Sequence, residues 1–187
     1  MNYQNLLCLG DSQTFGARSY GCYPLYLTKM LTDATPYDWR AITYGVNHYR
    51  ARDLWFLVNQ RIDGVHDTFQ ACVLIGTNDV GEHSPCDLFA EYYRQMLRAL
   101  LIRRYKSIFC GEIPPIYPDG HVFFTQSTVQ IREEFNQAIE QVVQAFPQAQ
   151  LVRFPSLTRA DYVDSVHFNE SGNQKVAQAF AEMILQR

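Results

Sequence analysis

The sequence has no excess of positive charge and no basic stripe: 16 lysine and arginine residues stand against 19 aspartates and glutamates, scattered along the chain, for a net charge of −3. A nucleic-acid backbone needs a clustered positive face, so nucleic acid is not expected as a partner. The densest group, Arg103-Arg104-Tyr105-Lys106, reads as the solvated end of a helix, where cations complement the helix dipole. No apolar run approaches the roughly 20 residues of a membrane span, and the first residues lead straight into a strand pattern, without the basic segment and cleavage site by which a signal peptide is read. Repeats, low-complexity tracts and linkers are also missing, so residues 1–187 are expected to form a single domain. Cysteine is scarce and odd in number: the five cannot all pair, and Cys8, Cys72 and Cys110 fall in apolar runs, where cysteine acts as a small hydrophobe. A reducing, cytoplasmic location is the expectation. His66, His83 and His121 show no zinc-helix or Cys-His spacing, and neither a metal nor a cofactor is expected.

What is present is a core-forming composition, 47% hydrophobic and 19% charged, in which short apolar runs alternate with segments of helical period. That alternation predicts a three-layer α/β/α sandwich around a flavodoxin-like parallel sheet of about five strands, at 5–9, 38–43, 71–75, 107–110 and 150–154. Ser84-Pro85 supplies a cap and a first-turn proline ahead of an apolar face of Leu88, Phe89, Tyr93, Met96, Leu97, Leu100 and Leu101. Ser127 and Gln130 have capping-box spacing before Ile131, Phe135, Ala138, Ile139 and Val142. The last helix carries Val176, Ala177, Phe180 and Ile184 on one side, with Asn169 or Ser171 as its cap. Further helices are expected at 24–31 and 51–60. The proline- and aromatic-rich stretch 113–126 follows the fourth strand, so it either borders a ligand site at the carboxyl edge of the sheet or packs there as a flap.

Three segments carry chemistry. Gly10-Asp11-Ser12-Gln13 follows the apolar run Leu6-Leu7-Cys8-Leu9, which puts a serine at the end of a buried strand. Gly76-Thr77-Asn78-Asp79 follows Ala71-Cys72-Val73-Leu74-Ile75, and Asp164-Ser165-Val166-His167 sets a carboxylate three residues before an imidazole. Attack on an ester needs a hydroxyl, a base, a group that fixes the base, and donors for the oxyanion; these residue types supply all four. Asp11 and Asp79 are expected to brace their loops by accepting backbone N–H groups.

With these three blocks in this order, the chain resembles the SGNH hydrolase superfamily, also called GDSL-type esterases and lipases, from Gly10 to Asn173. The resemblance implies Ser12 as nucleophile, His167 as base, Asp164 as its orienting carboxylate, and Asn78 as a side-chain oxyanion donor beside the N–H of Ser12. It implies a small-molecule ester substrate, cleaved through an acyl-enzyme. The family's second block departs here: Thr43-Tyr44-Gly45-Val46-Asn47-His48 puts His48 where a glycine donates its backbone N–H, with Gly45 at the earlier small position. Histidine tolerates a left-handed backbone better than most side chains, so either His48 or Gly45 can be the donor. The His48 imidazole would then stand at the mouth of the site or point to solvent. A non-catalytic carbohydrate- or nucleotide-binding module on this fold and an acyltransferase using the same serine are the alternatives.

Overall fold

Five short strands pair edge to edge in the computed structural model, which describes residues 2–62, 68–120 and 122–186. They are β1 (Tyr3–Gly10), β2 (Asp38–Gly45), β3 (Thr68–Leu74), β4 (Ser107–Gly111) and β5 (Ala149–Val152), all parallel and in the order β2-β1-β3-β4-β5. This is the flavodoxin-like order, and its reversal point lies between β1 and β3. Among the described residues seven α-helices accompany the sheet: α1 (Ser12–Phe15), α2 (Tyr23–Ala34), α3 (Ala51–Arg61), α4 (Thr77–Gly81), α5 (Cys86–Ile102), α6 (Gln126–Gln144) and α7 (Glu170–Leu185). The three-layer α/β/α class expected from the alternation is what forms.

Successive strand residues point to opposite faces, and the two faces make two cores. Leu7, Leu9, Ala71, Val73, Ile108 and Cys110 pack against α3, α5 and α6. Leu6, Cys8, Cys72, Leu74 and Phe109 pack against α2 and α7, where Tyr23 stacks on Phe180 with ring centroids 5.2 Å apart. Each fully buried Leu or Phe contributes about 1.5–3 kcal/mol of transfer free energy, so both faces are needed to offset the ordering of the chain. All five cysteines are free thiols. No helix among the described residues is long and apolar enough to cross a membrane.

Several local expectations are corrected. α5 starts one residue later than a first-turn proline requires: Pro85 is itself the N-cap, and Ser84 is held by the Asp79 carbonyl at 2.9 Å instead of capping. Leu88, counted on the apolar face, is exposed, whereas Phe89, Tyr93, Met96, Leu97 and Leu100 are buried. Thr125, not Ser127, is the N-cap of α6; the Ser127 hydroxyl pairs with Thr125 Oγ1 at 2.7 Å, so no capping box forms. Asn169 caps α7, accepting the Gly172 N–H at 3.1 Å. The cluster after α5 is less solvated than expected, because Tyr105 is buried and Arg103 donates to the carbonyls of Ala99 and Asn59 at 3.1 and 3.0 Å. β5 ends at Val152, since the Phe154 N–H is taken by Glu112 Oε1 at 2.9 Å and leaves the ladder. His66 and His121 lie outside the described residues.

Candidate active site

The two motif strands end side by side, and each is followed at once by a single helical turn. After β1, Asp11 caps α1 by accepting the Gln13 N–H at 2.9 Å, and Gly16 closes it in the left-handed region at φ 83°. The carbonyl of Ser12 accepts from Gly16 and Ala17 at 3.0 and 2.9 Å, so the residue carrying the hydroxyl is fixed by the turn that follows it. After β3, Gly76 (φ 125°) swings the chain into α4, where Asp79 Oδ2 accepts the Ala51 N–H at 3.0 Å and ties α4 to the start of α3. Both helices fall in stretches whose motifs mark them in the sequence only as turns.

The C-terminal block is held by a different set of bonds. Asp161 is buried and gathers Thr158 N–H, Ser171 Oγ and Lys175 Nζ, each at 2.8 Å. Burial opposes ionisation there, but these donors outweigh it and hold the carboxyl at about 2. From that anchor the chain turns back through a Tyr162–Phe168 bridge and presents Asp164 and His167. Asp164 Oδ1 accepts the N–H groups of Val166 and His167 at 3.0 and 2.8 Å; Oδ2 accepts His167 Nδ1 at 2.8 Å. Burial would raise this carboxyl too, yet the two N–H groups, the ring and the Arg18 guanidinium hold it well below the ordinary carboxylate range. With the Nδ1 proton directed at Asp164, His167 Nε2 turns its lone pair to Ser12 Oγ, 3.0 Å away. Ser12, His167 and Asp164, 155 residues apart in sequence at the widest, therefore form one hydrogen-bonded chain.

Asn78 lines the same cleft, its Nδ2 donating to the Tyr49 carbonyl at 2.9 Å. An amide carries two N–H groups, so one fixes the side chain and the second can meet a substrate oxygen. Tyr49 ends a tight turn closed by its N–H on the Val46 carbonyl at 3.2 Å, with His48 at φ 65°. The left-handed conformation that a glycine would occupy is thus adopted by His48, which lines the cleft with its side chain exposed. Gly45 is elsewhere: a Cβ there would stand 2.3 Å from the Phe15 N, so the glycine serves the close approach of β2 to α1 and is not among the cleft-lining residues.

The cleft encloses about 460 Å³ and is bordered by Arg18, Asn47, Gly81, Glu82, Asp119, Phe123 and Phe124 besides the residues above. The loop after β4 therefore contributes to both expected roles: Phe123 and Phe124 border the cleft, while Ile113 and Pro114 are buried, their carbonyls taken by Arg132 Nε at 2.7 and 2.9 Å. No group of three or more His, Cys, Asp or Glu among the described residues is placed to hold a metal.

Three residues were missed by motif reading. Gln13, almost wholly buried, donates from Nε2 to the Val166 carbonyl at 2.8 Å and accepts at Oε1 from Thr77 Oγ1 at 3.3 Å, joining all three motif loops. Arg18 donates from Nη1 to Asp164 Oδ2 at 2.7 Å. Tyr49 acts through its carbonyl, which no side-chain pattern can reveal. A long polar side chain directly after the serine, in an otherwise buried turn, was the one available signal for Gln13.

Asp11 and Asp79 brace their loops as expected, but unequally charged surroundings have a further effect. Asp11 Oδ2 has no hydrogen-bond partner among the described residues, and burial, then the neighbouring Asp79, push Asp11 up from 3.8 to about 7. Burial likewise lifts Asp79 to about 7, against the Ala51 N–H and the Arg50 charge. A carboxyl that is harder to ionise folded than unfolded binds the extra proton in the folded state between those two values, so stability falls as pH rises from about 4 to about 7. The melting temperature is expected to be higher at pH 5 than at pH 8, by on the order of 5 °C, with Asp79→Asn flattening the difference. A wild-type Tm that rises from pH 5 to pH 8 would contradict this.

Among known proteins, residues 8–175 match the model of the GDSL-like Lipase/Acylhydrolase family. No curated protein matches the sequence. Solved structures with this fold include an inhibitor-bound aryl esterase from M. smegmatis, 16% identical, with a TM-score of 0.84 over 98% of this chain and 99% of that one. The carbohydrate acetylesterase Est24 from Sinorhizobium meliloti is 13% identical with a TM-score of 0.82, covering 98% of this chain and 99% of its own. A catalytic mutant of an acetylxylan esterase from Geobacillus stearothermophilus is 18% identical with a TM-score of 0.78, over 98% and 95%.

Proposed function

Since the chain belongs to the GDSL-like lipase/acylhydrolase family and is a hydrolase of ester bonds, we propose that it cleaves short-chain acyl esters through a covalent acyl-enzyme on Ser12. The observation that carries this reading is the unbroken chain from Ser12 Oγ through His167 to Asp164, at 3.0 and 2.8 Å. His167 Nε2 takes the hydroxyl proton as Oγ bonds to the carbonyl carbon; the carbonyl π electrons move onto oxygen. The imidazolium then gives that proton to the leaving alkoxide as the C–O bond breaks. Water, deprotonated by the same nitrogen, attacks the acyl-enzyme, and its proton returns to Ser12 Oγ as the carboxylic acid leaves. Asp164 stays ionised throughout, holding the ring and offsetting its charge.

The oxyanion is met by the N–H of Ser12, the N–H of His48 and the Asn78 amide. His48 is preferred to Gly45 as the backbone donor because it borders the cleft and has the left-handed backbone of a donor turn. A cleft of about 460 Å³ bounded by Phe123 and Phe124 suits a small acyl group better than a lipid chain, in keeping with acetylesterases of the same fold. Five free thiols favour a reducing, cytoplasmic setting.

Hydrolysis of p-nitrophenyl esters from acetate to palmitate tests this directly. Acetate to butyrate should be turned over fastest, with kcat/KM falling steeply beyond. A rate that climbs towards palmitate would replace the small acyl site with a lipid groove, and no turnover on any member would count against the esterase reading.

A further inference from the structure

Gly81 closes α4 with a backbone angle that any residue adopts, for the positive-φ glycines among the described residues are Gly16, Gly76 and Gly120. Inside a helix glycine is a poorer choice than alanine, so the turn itself gives no reason for it. The reason lies across the cleft. A Cβ on Gly81 would stand 2.8 Å from Phe124 Cε1, 3.2 Å from Cζ and 3.5 Å from Cδ1, and these ring carbons are the nearest atoms it would meet. The missing side chain is the seat of an aromatic ring.

The ring is also held from behind. Phe124 directly precedes Thr125, the N-cap of α6, and α6 packs against α4. It is half-buried against the core of α3, α5 and α6, whereas its neighbour Phe123 is 50% exposed. On α4, Gly81 follows Asn78 by three residues, which puts the seat on the same face as the amide and about 4.5 Å further along the axis. Both residues and the ring line the cleft.

We infer that Phe124, seated on Gly81, is the specificity-determining residue that ends the acyl pocket and limits the length of chain it admits. The inference rests on the short-chain esterase reading above. With the carbonyl carbon at Ser12 Oγ, the carbonyl oxygen faces the Asn78 amide, and the leaving oxygen must face His167 Nε2 to receive its proton. The acyl chain is the substituent left to run along α4, and one turn beyond Asn78 it meets the ring. The limit is adjustable from both sides. Removing the ring lengthens the pocket, and a methyl group added at Gly81, whose nearest neighbours are ring carbons and not backbone, drives the ring off α4 into the space the chain would take.

The test varies the acyl chain from acetate to octanoate on a fixed p-nitrophenol leaving group, and separately the alcohol on a fixed acetyl group. It uses wild type, Phe124→Ala, Phe124→Leu, Gly81→Ala and the Gly81→Ala/Phe124→Ala double variant. Phe124→Ala should raise the octanoate-to-acetate ratio of kcat/KM by about tenfold, and Phe124→Leu, which keeps more of the packing, by less. Gly81→Ala should lower the butyrate-to-acetate ratio by about tenfold, the scale of a methylene misfitted in an apolar pocket. In the double variant that narrowing should vanish, because the added methyl group has no ring to displace. Lost packing alone would lower all esters together and leave the ratios in place. Ratios within about twofold of wild type in every active variant, or ratios that move with the alcohol instead of the acyl chain, would overturn the inference and leave the serine esterase standing. Wild-type protein that turns over no ester of the series and resists a serine-directed phosphonate would overturn the esterase reading, and the inference with it.

Discussion

Ser12→Ala is expected to lower kcat on p-nitrophenyl acetate by about 10⁴–10⁶-fold, to a residue of activity supplied by the oxyanion donors and binding alone. The size follows from the arrangement. His167 Nε2 has its lone pair on Ser12 Oγ at 3.0 Å, and removing Oγ takes away the hydroxyl that the imidazole is placed to activate. The substitution deletes one atom from a partly buried side chain, and the bonds that fix the turn run through the Ser12 carbonyl, which alanine keeps. The melting temperature should therefore stay within a few degrees of wild type, which separates lost chemistry from lost fold. Turnover within about tenfold of wild type in a folded Ser12→Ala protein would rule out the covalent mechanism.

Asn78→Ala is expected to reduce kcat by ~10²–10³-fold, the range for losing one preorganised oxyanion donor, with KM little altered. The asymmetry matters, because the second amide N–H strengthens its bond only as negative charge collects on the substrate oxygen. Ground-state binding gains little from it. A structural cost accompanies the change: the Tyr49 carbonyl loses the donor at 2.9 Å, worth about 1 kcal/mol. A fall of less than about threefold in kcat would remove Asn78 from the oxyanion site and leave it the role of fastening α4 to the His48 turn.

What the sequence made legible was whatever depends on period and on local chemistry. Parallel strands buried on both faces read as plain apolar runs, so Leu6–Leu9 and Ala71–Leu74 stood out, whereas Gln70, paired in register with Leu6 and Ser107, hid the earlier start of β3. Caps were less legible, because the acceptor that satisfies a helix start can come from anywhere: the Ala51 N–H is met by Asp79, 28 residues away. The same limit applied at the site. Ser12, Asn78, Asp164 and His167 carry motif spacings and are found around one cleft, and the choice between His48 and Gly45 needed backbone angles and close contacts that no spacing encodes. Gln13 and Arg18 reach partners 153 and 146 residues away, and only the folded chain brings those together.

The bond from Gln13 to Val166 has a bearing on how the molecule comes into being. His167 leaves the ribosome 155 positions after Ser12, or roughly 10–30 s later at ordinary translation rates. Throughout that interval the serine is an ordinary alcohol, and the Gln13 amide has no Val166 carbonyl to hold. Reactivity waits on the segment that carries Asp164 and His167, which leads directly into α7, the helix packed against α2 in the second core. A chain that lacks the His167 segment is therefore expected to be chemically silent, so that hydrolytic competence would report that both segments have been made and brought together.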